Sequence, residues 1–238
     1  MPPFATLHTS TGFLHARVTK SLAAANLNNL EIHIPPNFIY GTTNKTPEYL
    51  AKFPHGKIPA LETPSGFCVS EGSAIALYLA EAGPKKTQLT GRTPEERASV
   101  QMWVSLSDSE LFPPAGAILL PILGIEAYDK ERVDKREAEF IRALKRVEHH
   151  LNQEGKVWLV RDDELSLADL SVAASLFWPF QFFMDPDYRA EYPKVMQWWE
   201  RLMAVEEVGK AFKVPVAMCE KRLPNDGSYG KSKGLDKE

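Results

Sequence analysis

Hydrophobic positions follow two rhythms along this chain, and the change comes near residue 84. Before it, apolar residues form short runs between turn-forming residues. Phe4-Ala5-Thr6-Leu7-His8 alternates as a strand does, and Glu31–Ile34 is a second strand stopped by Pro35-Pro36. Between them lies the loop Thr9-Ser10-Thr11-Gly12, followed by Ala16–Asn26, which sets Val18, Leu22 and Ala25 on one helical face. After the polar loop Asn37–Asn44, Thr46-Pro47-Glu48 supplies a cap, a proline at the first helical position and an acidic first turn. Ala60-Leu61 and Phe67-Cys68-Val69 flank Pro64-Ser65-Gly66 and read as a hairpin. From Glu71 onward Ala74, Ile75, Leu77, Tyr78 and Leu79 predict a buried helix to about Gly83. The order is β-α-β-α-β-β-α.

Past Gly83-Pro84-Lys85-Lys86 the period becomes helical throughout. Thr93-Pro94-Glu95-Glu96 is a capping box, and Val100, Trp103, Val104 and Ser107 line one face of the helix it starts. Pro113-Pro114 is expected to kink or end that helix. Asp129–Asn152 carries the stripe Val133, Phe140, Ile141, Leu144, Val147 and Leu151. In Leu165-Ser166-Leu167-Ala168-Asp169-Leu170, Ser166 caps a helix, Asp169 closes the box and Leu165 with Leu170 forms a hydrophobic staple. Asp169 is therefore read as a structural acid and not a catalytic one. Pro193–Phe212 is the last predicted helix, and the polar stretch from Leu223 is expected to be mobile. The predicted fold class is α/β followed by all-α: a thioredoxin-like domain over residues 1–84, a helical domain over 92–222 and a flexible tail over 223–238.

Composition narrows the function classes. With 44% hydrophobic and 25% charged residues the chain reads as an ordinary soluble globular protein. A net charge of -3 argues against general affinity for nucleic acid or an anionic membrane. The apolar run Ala115–Ile125 is broken by Gly116, Pro121 and Gly124 and falls short of the ~18 residues that a membrane span needs. Met1-Pro2-Pro3-Phe4 does not read as a signal peptide, and the unpaired Cys68 and Cys219 suit a reducing compartment, so the expected location is cytoplasmic.

The candidate chemistry centres on Phe53–Tyr78. Pro59, between a lysine-led turn and a strand, is either a strand-edge proline or a cis proline. The cis form leaves the Ile58 N–H and C=O free to pair with an extended peptide. Glu71 stands where helix N–H groups point out unpaired, a place for a ligand carboxylate, and its own charge suits the neighbouring ammonium. A peptide with a zwitterionic end fits this site, and glutathione is such a peptide.

GKIPALE followed by SEGSAIALYLA resembles the glutathione-binding core of the glutathione transferases. PPNFIYGTTNKTPEYLAKFPHGKIPALE, GFCVSEGSAIALYLA, VQMWVSLSDSELFPP, LSLADLSV and CEK are similar, in order, to the transferase-like domain of the gamma subunit of eukaryotic elongation factor 1. The likeness spans Pro35 to Lys221. It implies the transferase fold, a homodimer, glutathione as co-substrate and a small electrophile as its partner. Translation-factor subunits are the partners under the alternative, a non-catalytic scaffold. Family members of that branch carry a further C-terminal domain, and the end at Glu238 tilts the sequence reading towards the enzyme.

The resemblance also assigns roles. A transferase presents glutathione as its thiolate, and lowering a thiol pKa by about two units takes roughly 2.7 kcal/mol. The family places the hydroxyl that contributes to this between the first strand and first helix, where this chain offers Ser10 first, Thr11 second, and Thr9. The competing reading is that all three cap the helix after Gly12. Lys45 and Lys57 carry over as partners of the tripeptide's carboxylate and backbone, joining Ile58, Pro59, Glu71, Gly72 and Ser73. Most transferases have serine where Gly72 stands, so one hydroxyl is lost, which Ser73 is expected to offset in part. Trp103, Ser107 and Phe112 are the candidates for an electrophile pocket. Cys68 is read as inert packing. No metal site is expected, because the consecutive His149-His150 cannot share one helical face.

Overall fold

In the computed structural model, which describes residues 2–11 and 14–234, the two rhythms become a small sheet domain and a helical one. The first holds β1 (Ala5–His8), α1 (Ala16–Leu27), β2 (Ile32–His33), α2 (Pro47–Lys52), β3 (Ala60–Glu62), β4 (Cys68–Ser70) and α3 (Gly72–Glu81). The sheet runs β2-β1-β3-β4, with β1 parallel to β2 and the other two pairings antiparallel. Alternation along β1 sends Ala5 and Leu7 into the core beneath α1 and α3, with Val18, Leu61, Ile75 and Leu79. His8 faces the other side and packs edge-on against Tyr49 of α2 at 5.6 Å and Phe53 at 5.7 Å between ring centroids.

The helical domain holds α4 (Lys86–Thr90), α5 (Pro94–Leu106), α6 (Phe112–Ile122), α7 (Lys130–Leu151), α8 (Leu167–Phe182), α9 (Pro186–Ala190), α10 (Pro193–Met203), α11 (Glu206–Phe212) and α12 (Ser228–Ser232). α5 does not stop at the prolines. It passes through a π-helical turn, Ser107–Leu111, into α6, whose first turn takes up Pro113 and Pro114 where missing N–H groups cost nothing. The predicted helix Pro193–Phe212 is two helices, separated by an extended Val205. Gly209 then lies so close to α10 that a Cβ there would sit 2.8 Å from the Met203 carbonyl.

α8 is buried on nearly every side, and its start is the predicted cap. Asp169 Oδ2 accepts from Ser166 N–H at 2.8 Å and the Ser166 hydroxyl at 3.1 Å; Oδ1 accepts from Leu159 N–H at 3.0 Å and Trp198 Nε1 at 2.9 Å. α1 lies against α8 and α11, and Asn26 Nδ2 donates to Glu207 O at 2.8 Å.

The expected flexible tail is corrected for residues 223–234. Arg222 forks onto Glu137 at 2.6 and 2.9 Å, Leu223 N–H reaches Phe182 O at 2.9 Å, and Tyr229 packs edge-on against Phe182. Gly230 lies on the end of α6, where a Cβ would fall 1.7 Å from Leu123 O. Glycine permits that approach, and a composition count reads the same glycines as looseness. Residues 235–238 lie outside the described residues.

Candidate functional site

Strand register builds the site. β1 pairs His8 with Ala60 of β3, and β3 pairs Ala60 with Ser70 of β4. One step further along each ladder sets Thr9, Pro59 and Glu71 side by side at one end of the sheet. α3 starts directly after Glu71, and α1 starts on the same side of β1. Two helix N-termini thus meet at one edge, of which that of α3 has no side-chain cap bond.

The Ile58–Pro59 peptide bond is cis, which resolves the two proline readings. The loop ahead of it is pinned from α2 and its approach. Asn44 Nδ2 donates to Gly56 O at 2.6 Å, and the Tyr49 hydroxyl donates to Lys57 O at 2.7 Å. Lys45 and Lys57 are exposed, and Lys45 Nζ lies alongside Gly56, 3.4 Å from where a Cβ would stand. Lys57 thus belongs to the loop of Ile58, and Lys45, which precedes α2, lies against that loop at Gly56.

Glu71 precedes α3 with φ 71°, in the left-handed region that glycine favours, and its exposed carboxylate makes no cap bond. Gly72 is buried where α3 meets α1: a Cβ there would lie 3.3 Å from Arg17 O and 3.4 Å from Arg17 Cβ. A serine side chain at this position would require α1 to give by a few tenths of an ångström. Ser73 does not offset it through its hydroxyl, which accepts from Lys20 Nζ at 2.6 Å and donates to Asp108. Only the Ser73 backbone N–H remains for a ligand.

In the loop after β1, Thr9 is buried and its hydroxyl has no partner among the described residues. Ser10 is half-buried, and Thr11 is exposed with its hydroxyl donating to Pro36 O at 3.4 Å. The capping alternative does not hold for α1. That helix begins at Ala16, and its cap is His15, whose Nδ1 accepts from Arg17 N–H at 3.2 Å. Gly12 lies outside the described residues. Burial, with help from nearby Arg17, lowers the His15 pKa to about 4.

The proposed electrophile pocket divides. Trp103 is core, 4.9 Å from His150 between ring centroids, and Ser107 is fully buried with its hydroxyl donating to Ser171 O at 2.7 Å. Both side chains are enclosed within the helical domain. Phe112 alone reaches the domain interface, where the Arg17 guanidinium lies 5.0 Å from its ring centroid. Cys68 is half-buried and burial raises its pKa, so its thiol is not a ready nucleophile.

Sequence reading missed Lys20 and Asp108. Lys20 is enclosed between α1, α3 and the π-helical turn, 3.1 Å from Asp108 Oδ1. A single lysine amid Thr19, Ser21 and Ala23–Ala25 was the available signal, since such small neighbours let helices approach closely. Among the described residues no cluster of His, Cys, Asp or Glu is arranged to hold a metal ion, and no helix is long and apolar enough to cross a membrane.

A thioredoxin-like sheet with a cis proline beside a helix N-terminus, joined to a helical domain, defines the glutathione transferase fold. Residues 6–81 match the glutathione S-transferase N-terminal domain and residues 111–206 the glutathione S-transferase C-terminal domain. The chain belongs to the glutathione S-transferase family. The glutathione S-transferase-like protein FUS3 of Gibberella moniliformis is 40% identical over 94% of this chain and 99% of its own. Elongation factor 1-gamma of Sus scrofa is 36% identical over 88% of this chain, which spans only 47% of that protein. The glutathione transferase URE2P6 of Phanerochaete chrysosporium, solved with oxidised glutathione, shares the fold at a TM-score of 0.76 and 22% identity, over 89% of this chain and 96% of its own.

Proposed function

We propose that this protein is a glutathione transferase that conjugates reduced glutathione to small electrophiles through a hydroxyl-stabilised thiolate. The observation that carries the reading is the shared sheet edge, which gathers the Thr9–Thr11 loop, the cis Ile58–Pro59 bond and the α3 N-terminus. On this reading the Ile58 backbone pairs with the tripeptide. Glu71 holds its ammonium, the N–H groups of Gly72 and Ser73 take the adjacent carboxylate, and Lys45 and Lys57 face the glycine end. Ser10 directs its hydroxyl at the sulfur, because Thr9 is enclosed and Thr11 is engaged with Pro36. The exposed Phe67 and Leu77 support a homodimer, and the two free cysteines support a cytoplasmic location.

The second reading is a transferase-shaped scaffold, favoured by the 36% identity to elongation factor 1-gamma. Thiolate absorbance of the glutathione complex during a pH titration separates the two. The enzyme reading expects a depressed thiol pKa that Ser10→Ala raises, with tripeptide affinity nearly unchanged. A bound thiol that titrates as it does in free solution sinks that reading and leaves the scaffold.

A further inference from the structure

A lysine in the middle of a helix usually extends its charge to water. Lys20 does not: only 1% of its side chain is exposed. Its ammonium donates to Ser73 Oγ at 2.6 Å and to Asp108 Oδ1 at 3.1 Å, and lies 5.8 Å from the centroid of the Phe112 ring. The Ser73 hydroxyl completes the triangle by donating to the other Asp108 oxygen. Three segments distant in sequence meet at this point: α1, the first turn of α3, and the π-helical turn of the helical domain. α1 and α3 also touch here, with Gly72 on the Arg17 backbone and the Ser21 hydroxyl 3.5 Å from Gly72 O.

Only the lysine end of this pair is buried, since the Asp108 side chain is 39% exposed. The cost of desolvating the ammonium offsets much of the attraction, which makes the pair a poor source of net stability. Its use lies in geometry. A serine in the first turn of a helix can turn its hydroxyl towards local backbone groups. Held as acceptor of Lys20 and donor to Asp108, the Ser73 hydroxyl has one orientation, and the first turn of α3 is fixed to the helical domain.

We propose that Lys20 is a positioning residue for the glutathione site: through Ser73 and Asp108 it locks the first turn of α3, so that affinity for the ligand carboxylate is set from the domain interface. The proposal rests on the glutathione reading above. It requires no contact between Lys20 and the ligand.

Calorimetry with reduced glutathione on the full chain tests it, using Lys20→Met, Ser73→Ala, the double variant and Glu71→Ala. Lys20→Met should weaken binding about tenfold while the thiol pKa of bound glutathione at saturation stays at the wild-type value. Ser73→Ala should weaken it similarly, and the double variant should be no weaker than either single, because the lysine acts through the serine. A lysine that only fills space would alter melting temperature without this pattern. Wild-type affinity in Lys20→Met together with lost affinity in Glu71→Ala overturns the positioning role and keeps the ligand site. Wild-type affinity in both overturns the ligand site and the role with it. Should Lys20→Met fail to fold, Ser73→Ala decides: wild-type affinity there overturns the proposal.

Discussion

α8 and α3 each begin with an acid, and the two starts are built in opposite ways. At α8 the acid is inside. Asp169 is fully buried and accepts from two backbone N–H groups, a hydroxyl and an indole. At α3 the acid is outside. Glu71 is exposed, makes no cap bond and holds a positive φ, while Gly72 and Ser73 keep backbone N–H groups for the ligand proposed above. A helix start that satisfies its own donors has nothing left to offer. One that leaves them unsatisfied gives up stability and gains an anion site. The first arrangement belongs to folding and the second, on the reading proposed above, to the ligand.

The comparison breaks most visibly at Asp169. Burial pushes its pKa up, and its bonded donors oppose that shift. Asp169→Ala would strand Leu159 N–H, Ser166 N–H and the Trp198 indole in a closed interior. Unsatisfied buried donors of this kind lower stability by about 3–5 kcal/mol in total. Denaturant unfolding measures it, and the folded fraction should still bind glutathione normally. A loss below about 1 kcal/mol would mean that this start is not the anchor it is taken for.

These two starts also show how far the sequence can be read. Both were legible as helix beginnings, because the Ser166–Asp169 box and the helical spacing of Ala74, Ile75, Leu77, Tyr78 and Leu79 after Glu71 are local signals that need no tertiary information. The order of elements along the chain followed from the same local grammar, which left Pro59 open between a strand-edge and a cis proline. What escaped depended on which surfaces meet. Lys20 and Asp108 are 88 positions apart, and neither advertises its partner. Trp103 and Ser107 share a helix face with core residues, and the sequence does not show that both are enclosed there by His150 and Ser171. Gly227 and Gly230 look like a loose end until the chain is seen to pack onto Leu123 and Gly124 there.

α1 sharpens the comparison as an intermediate case, since its cap is a side chain that titrates. The His15 pKa falls from 6.5 to about 4 in the folded protein. The unfolded chain therefore takes up this proton first as pH drops. Stability from this group is present above about pH 6.5, is lost as pH falls through the interval down to about 4, and is level below it. The full effect is up to about 3 kcal/mol. His15→Asn keeps an acceptor for Arg17 N–H and removes the titration. Unfolding free energies at neutral pH and near pH 4 should show a shallower slope for the variant than for the wild type. Parallel slopes would remove His15 from the account.

The smallest effect is the most discriminating, because it asks whether strain at α3 is kept for the ligand. A non-glycine residue at φ 71° is held against its preference. Glu71→Gly relieves that strain but adds freedom to the unfolded chain, so the net gain in stability is about 0.5–1 kcal/mol. The same change removes the carboxylate proposed to hold the glutathione ammonium. A charge-assisted bond of about 1.5–3 kcal/mol corresponds to a loss of roughly ten- to a hundredfold in affinity. The variant should thus unfold at higher denaturant and bind glutathione more weakly. At α8 no such exchange is expected, since losing the Asp169 carboxylate would leave its buried donors without a partner. A Glu71→Gly protein less stable than wild type would show that the backbone there is not strained. One that is more stable and binds glutathione as tightly as wild type would show that the strain serves something other than this ligand.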